Sequence, residues 1–274
     1  CNAGFDLLGG GTSLIPIAGE PLPNIVIMAL ITCGGLGFLV WDDILTNGRH
    51  LRRYRLHSKI MLTVTAVLIV GGAAGFYVLE RENAFAGASA GDRVLMSFFQ
   101  SVTTRTAGFF SVDQASLSES GTLLTMVLMF IGACAGSTGG GIKVSRILIL
   151  GKTLGKELKQ ALHPQVVAPA RMDGKLLNHE TIRTTNVFIG AYFFIFITSF
   201  LLISLNGFDM VTNFTAVAAT MNNIGPGLEL VGPMRNFGGF ADSAKLVLIF
   251  DMLAGRLEIF PMLVLFLPDT WRKF

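Results

Sequence analysis

Three short segments carry residue types suited to holding a metal ion without a charged ligand: Cys1-Asn2-Ala3-Gly4-Phe5, Arg105-Thr106-Ala107-Gly108-Phe109 and Asn222-Asn223-Ile224-Gly225-Pro226. None contains a carboxylate, so they offer no general acid or base. Glycine permits the positive φ with which a short stretch of chain turns successive carbonyl oxygens to one side. Oxygens so turned replace the hydration shell of an ion in a selectivity filter. Asn2, Thr106 and Asn223 lie beside the glycines and add side-chain oxygens. With one central glycine per segment, fewer stacked carbonyl rings and weaker discrimination are expected than from a double-glycine filter. Phe5 and Phe109 are expected to pack behind the loops. A guanidinium facing a cation path would repel ions, so Arg105 is expected to point backward and tie its loop to a carboxylate or carbonyl.

A second pattern lies further along each unit. Gly132, Gly136, Gly139, Gly140 and Gly141 crowd the middle of an apolar stretch. Each costs a helix ~1 kcal/mol relative to Ala, so an interruption near mid-membrane is expected. The competing reading is a tight helix-packing stripe through Gly132, Gly136 and Gly140; three consecutive glycines exceed what packing requires and favour the break. Arg256 stands in the middle of another apolar stretch, where an arginine normally faces a cavity or a partner. A salt bridge to Glu258 or Asp251 would supply one such partner.

The spacing of these features implies a repeat. Asp92 precedes Gly108 by sixteen residues, and Asp209 precedes Gly225 by the same sixteen. The apolar stretches between, Val94 to Val102 and Met210 to Ala219, are too short to span a bilayer and suit re-entrant helices. Thirty-one residues after Gly4, Gly108 and Gly225 come Gly35, Gly139 and Arg256. The units read as 1–45, the end of one copy, then 57–150 and 180–271, with 46–56 and 151–179 as connections. Irregular backbone at membrane depth is tolerated where it is buried or lines a water-filled cavity, so a pore is the economical explanation.

The elements that must position these loops are membrane helices. Of 274 residues, 51% are hydrophobic and 14% charged, against roughly 25% charged in soluble domains. Five stretches approach the ~20 residues a span needs: Pro23 to Leu45, Lys59 to Leu79, Leu117 to Ala135, Thr184 to Leu205 and Ala244 to Leu267. Basic residues gather in the connections at Arg49, Arg52, Arg53, Arg55 and Lys59, at Lys152, Lys156, Lys159, Arg171, Lys175 and Arg183, and at Arg272 and Lys273. The positive-inside rule places those regions in the cytoplasm. The fold expected is all-α and membrane-integral: helix, re-entrant pore-helix loop and helix units arranged pseudo-symmetrically around one pore. The short helices, entering from outside, direct their partially negative C-terminal ends inward, which favours a cation.

The motifs CNAGFDL at Cys1, TTRTAGF at Thr103, AGSTGGGIK at Ala135, NNIGPGLE at Asn222 and GRLEIF at Gly255 occur in order along essentially the whole chain. With them the sequence resembles the Trk/Ktr/HKT superfamily of potassium transporters, in particular its bacterial TrkH-like subunits. The resemblance implies potassium uptake across the bacterial inner membrane, with potassium as substrate. It implies filter positions at Asn2, Ala3 and Gly4, at Thr106, Ala107 and Gly108, and at Asn223, Ile224 and Gly225. It implies a gate formed by Gly136, Ser137, Thr138, Gly139, Gly140, Gly141, Lys143 and Arg256 beneath the filter. Four repeats around one pore are implied as well, so the chain is expected to lack the first repeat and half of the second, in keeping with its start inside a filter loop without an initiating Met. A homodimer in lipid and a cytoplasmic nucleotide-binding ring protein as regulator are the implied partners, any nucleotide belonging to that partner.

Other chemistry has little support. The net charge of +3 gives no case for nucleic acid, His50, His57, His163 and His179 lack metal-ligand spacing, and His179-Glu180 lacks the second histidine of a zinc-protease helix. No enzyme activity is expected. A secondary cation symporter built on broken helices is the main alternative, although its repeats would usually be inverted; a non-conducting membrane subunit is another.

Overall fold

The computed structural model describes residues 4, 12–48, 50–163, 171–172, 175–176 and 178–271. Asn2 and Ala3, as well as Cys1 and Phe5, lie outside the described residues. The elements are helical apart from a two-residue hairpin pairing Arg171 with Leu176. Among the described residues two helices are long and apolar enough to cross a membrane, α3 (Leu56–Leu79) and α7 (His179–Ser204). At 1.5 Å per residue, α3 extends ~36 Å. Only 33% of the most apolar window of α7 is buried, so most of its surface, including Phe194, Ile197 and Leu201, faces outward. That exposure is what a lipid-facing helix requires.

The remaining three expected spans are interrupted. The stretch from Pro23 to Leu45 is two helices, α1 (Pro21–Gly35) and α2 (Phe38–Asn47), meeting at 101°. The second begins in α5 (Glu119–Phe130), passes through irregular backbone over residues 131–143, and resumes as α6 (Val144–Leu162). The third is α9 (Asp242–Arg256) and α10 (Phe260–Leu265), separated by residues 257–259. Hydropathy continues through each break because most residues at the bends are apolar or glycine, Ser137, Thr138, Lys143 and Glu258 being the exceptions. α6 also carries helix into the connection expected from residue 151, since Lys152, Lys156 and Lys159 recur at helical spacing on one face.

A shorter helix follows each long one, α4 (Ala90–Thr103) after α3 and α8 (Met210–Met221) after α7. Their starts differ in register. Asp209 caps α8 by accepting from the Thr212 N–H, whereas Asp92 sits inside the first turn of α4 and bonds Ser89, which is the cap. Such caps satisfy N–H groups that the helix leaves without partners. Both helices pack against the long helix before them, α4 on α3 and α8 on α7. The C-terminal end of α3 is tied to α5 by the buried Glu80 carboxylate, which accepts from the Ser118 N–H (3.1 Å) and hydroxyl (2.6 Å).

Candidate ion-coordinating loops and the loop beneath them

At the C-terminal ends of α4 and α8 the chain enters two loops of matching conformation. Thr106 and Gly108 have φ of 75° and 91°; Asn223 and Gly225, at the same positions of the next unit, have 55° and 100°. Gly4 has φ 57°. Left-handed φ at a threonine costs about 1–2 kcal/mol and persists only where the surroundings enforce it. In the first loop the N–H groups of Ala107 and Gly108 both donate to the Thr103 carbonyl (3.1 Å each), and the Thr103 hydroxyl donates to the Phe109 carbonyl (2.5 Å). In the second the Ile224 N–H donates to the Ala219 carbonyl (2.9 Å). The carbonyl groups from Thr104 to Gly108, and from Met221 to Gly225, accept no hydrogen bond from any described residue. Buried carbonyls are ordinarily paired, and the run of unpaired ones recurs at equivalent positions of the two loops.

The loops sit side by side. A methyl group placed on Gly4 would collide with the Ala107 carbonyl oxygen and the Gly108 Cα. One placed on Gly108 would lie 2.7 Å from the Ile224 carbonyl oxygen and 2.5 Å from Pro226 Cδ. The structure therefore brings together Gly4, Thr106, Ala107, Gly108, Asn223, Ile224 and Gly225. Phe109 packs against the buried cluster of Ile31, Val102 and Ala107, the role expected of it. Arg105 differs from expectation. Its side chain is largely buried among Ile31, Thr65, Ile69 and Ala133 of the neighbouring elements, and no described carboxylate or carbonyl accepts from it.

The glycine-rich stretch is irregular backbone rather than a packing stripe, with φ of 72° at Gly136 and 74° at Gly141. It lies against the loops above. A methyl on Gly139 would be 2.6 Å from Thr106 Oγ1, one on Gly141 would be 2.9 Å from Asn222 Oδ1, and one on Gly140 would strike the Asn222 carbonyl oxygen. The stretch is held from one side by the α1–α2 bend: the Cys134 N–H donates to the Gly35 carbonyl (3.0 Å), the Thr138 N–H to that of Gly34 (3.3 Å), and the Phe38 N–H to that of Gly136 (3.2 Å). Two cations grip it from the other side. Lys143 Nζ donates to the Gly139 carbonyl (2.7 Å), and Arg256 Nη1 donates to the Thr138 carbonyl (2.6 Å). Neither alternative partner holds Arg256. Glu258 pairs with Arg146 at 2.6 Å, and Asp251 accepts from the Ser199 hydroxyl at 2.7 Å.

Several contacts around the site carry little sequence signal. The Tyr192 hydroxyl donates to Asn222 Oδ1 (2.7 Å), fixing the residue that ends α8. Asn223 Nδ2 donates to the Met252 carbonyl (3.2 Å), which ties the third loop to α9. Among the described residues no group of three or more His, Cys, Asp or Glu side chains could hold a metal ion.

Over residues 1–273 the chain matches the TrkH family, whose description is cation transport protein. The Trk system potassium uptake protein TrkH of Salmonella typhimurium is 34% identical over 290 residues, covering 98% of this chain and 57% of that protein. The potassium/sodium uptake protein NtpJ of Enterococcus hirae is 46% identical over 151 residues, which is 55% of this chain and 33% of that protein. The crystal structure of the potassium transporter TrkH from Vibrio parahaemolyticus superposes with a TM-score of 0.79 at 31% identity, covering 92% of this chain and 53% of that one. The chain thus spans little more than half the length of the Salmonella relative.

Proposed function

The chain belongs to the TrkH family of cation transport proteins, and from that premise we propose that it forms the larger part of a potassium path across the bacterial inner membrane. The observation that carries the proposal is the run of undonated carbonyls at Thr104 to Gly108 and Met221 to Gly225. Asn2, Ala3 and Gly4, Thr106, Ala107 and Gly108, and Asn223, Ile224 and Gly225 are the filter positions. Their carbonyl oxygens replace water around a dehydrated potassium ion, which is the substrate. The C-terminal ends of α4 and α8 point their partial negative charge at the same place.

Below the filter, the loop from Gly136 to Gly141 closes the path. Lys143 and Arg256 place two positive charges on that loop, a barrier that a cation leaving the filter must pass. Movement of the loop and of Arg256 together opens the path. The membrane potential supplies ~2.3 kcal/mol per charge per 100 mV, enough to drive accumulation without chemistry. A homodimer, and a cytoplasmic nucleotide-binding ring docking on the basic connections, complete the assembly. The name of the Enterococcus hirae relative supports a second reading in which sodium also passes. The test is growth of a potassium-uptake-deficient bacterium expressing the whole protein. Rescue at limiting potassium is expected, and failure to rescue with the protein present in the membrane would overturn the proposal.

A further inference from the structure

The junction between α9 and α10 holds two consecutive non-glycine residues at positive φ, Glu258 (φ 60°) and Ile259 (φ 63°), with the Phe260 N–H donating back to the Glu258 carbonyl (2.7 Å). For a β-branched residue such as Ile259 this is a true outlier, and its surroundings must enforce it. Those surroundings are visible. Ile259 is completely buried and its N–H donates to the Ala254 carbonyl (2.8 Å), while the Glu258 carboxylate is held by Arg146 Nη2 at 2.6 Å. Arg146 is itself fixed, with its guanidinium carbon 3.7 Å from the centre of the Phe188 ring on α7.

Arg146 occupies the first turn of α6, three residues after Lys143. Glu258 follows Arg256 by two residues. The start of α6 therefore touches the glycine-rich loop through Lys143 and the strained α9–α10 junction through Arg146, and that junction carries the arginine that clasps Thr138. Arg146 Nη1 is buried with no hydrogen-bond partner among the described residues. An unsatisfied donor of that kind marks an arrangement that another position of the guanidinium can relieve.

We propose that the Arg146–Glu258 pair is a positioning latch that couples the displacement of α6 to Arg256. While the pair is closed, the junction stays bent and Arg256 remains on the Thr138 carbonyl. When α6 shifts, Glu258 is released, the positive-φ residues relax, and Arg256 leaves the loop. This inference rests on the reading of Arg256 as a barrier. α6 continues through Lys152, Lys156 and Lys159 to Leu162, so a load applied at its cytoplasmic end reaches the latch along one rigid element.

The test uses rubidium uptake by the whole protein in uptake-deficient cells, normalised to the amount in the membrane. Arg146→Glu and Glu258→Arg singly should each raise the maximal rate by about two- to fivefold, the population shift set by losing a partly exposed ion pair. The half-saturating concentration and the rubidium-to-sodium ratio should not move, because the filter is untouched. The double exchange should return the rate to that of the parent. Arg256→Gln should give a similar rise, and adding Glu258→Arg to it should add nothing. If Arg256→Gln raises the rate while the single exchanges do not, the latch is overturned and the barrier reading survives. If Arg256→Gln itself has no effect, the barrier reading fails. Should a charge reversal fail to reach the membrane, Glu258→Gln removes the charge with little change of shape, and an unchanged rate in that variant overturns the latch.

Discussion

Replacing Gly108 with alanine isolates the contribution of loop geometry to ion passage. At φ 91° an alanine is disfavoured, by about 1–2 kcal/mol. The added methyl would also lie 2.5 Å from Pro226 Cδ and 2.7 Å from the Ile224 carbonyl oxygen. Neither neighbour is the end of a flexible side chain, so the Ile224 carbonyl must move away from where its partners aim. Taking a combined cost of about 2 kcal/mol at the coordinating oxygens, and 1.36 kcal/mol per factor of ten, uptake at limiting rubidium should fall ~30-fold. Gly87 supplies the control. Its φ is 83°, and nothing lies within 4 Å of the position a methyl would take. Gly87→Ala therefore carries a similar backbone penalty without touching the filter, and its uptake per molecule should equal that of the parent. The assay is rubidium uptake in potassium-depleted cells, with membrane content measured by immunoblot. If both variants lose uptake equally, or if Gly108→Ala keeps its rate, the reasoning from converging carbonyls is refuted.

Tyr192→Phe removes the one hydroxyl donor to Asn222 Oδ1 and leaves a buried acceptor unpaired, at a cost of about 1–3 kcal/mol; the purified protein should unfold at a lower temperature in detergent, and an unchanged transition would argue against the third loop being braced from α7. Glu80→Ala strips the acceptor from the Ser118 N–H and hydroxyl, charge-assisted bonds worth about 1.5–3 kcal/mol each. That variant should accumulate poorly or lose thermal stability, with rubidium-to-sodium preference preserved in whatever protein remains; a change in preference would contradict its assignment to the scaffold.

Much of this arrangement was legible in residue spacing. The recurrence of Asp and Gly at matched intervals located α4, α8 and the loops after them, because a left-handed turn at a fixed distance from a helix start leaves glycine as its trace. The left-handed φ of Thr106 and Asn223 left no such trace, since those residue types are common everywhere. The breaks at residues 36–37 and 257–259 were invisible to hydropathy, which measures apolar length and not continuity. At the second of them the Glu258 carboxylate meets Arg146, a residue more than a hundred positions away. The fate of Arg105 was misjudged for a related reason: repulsion from a cation path dictates where its guanidinium does not go, and packing alone supplies what it meets. Contact of Arg256 with the glycine-rich loop was expected from its GRLE context in the family that the sequence resembles, while the particular acceptor, the Thr138 carbonyl, left no mark in the sequence.

The most direct test of the central claim compares initial rates of potassium, rubidium and sodium entry through the whole protein reconstituted in vesicles under an imposed, inside-negative potential. If bare carbonyl oxygens around Gly4, Gly108 and Gly225 hold the ion, potassium and rubidium should enter at comparable rates, sodium should be slower, and Gly225→Ala should shrink that difference. Equal entry of all three ions, unaltered by Gly225→Ala, would contradict it.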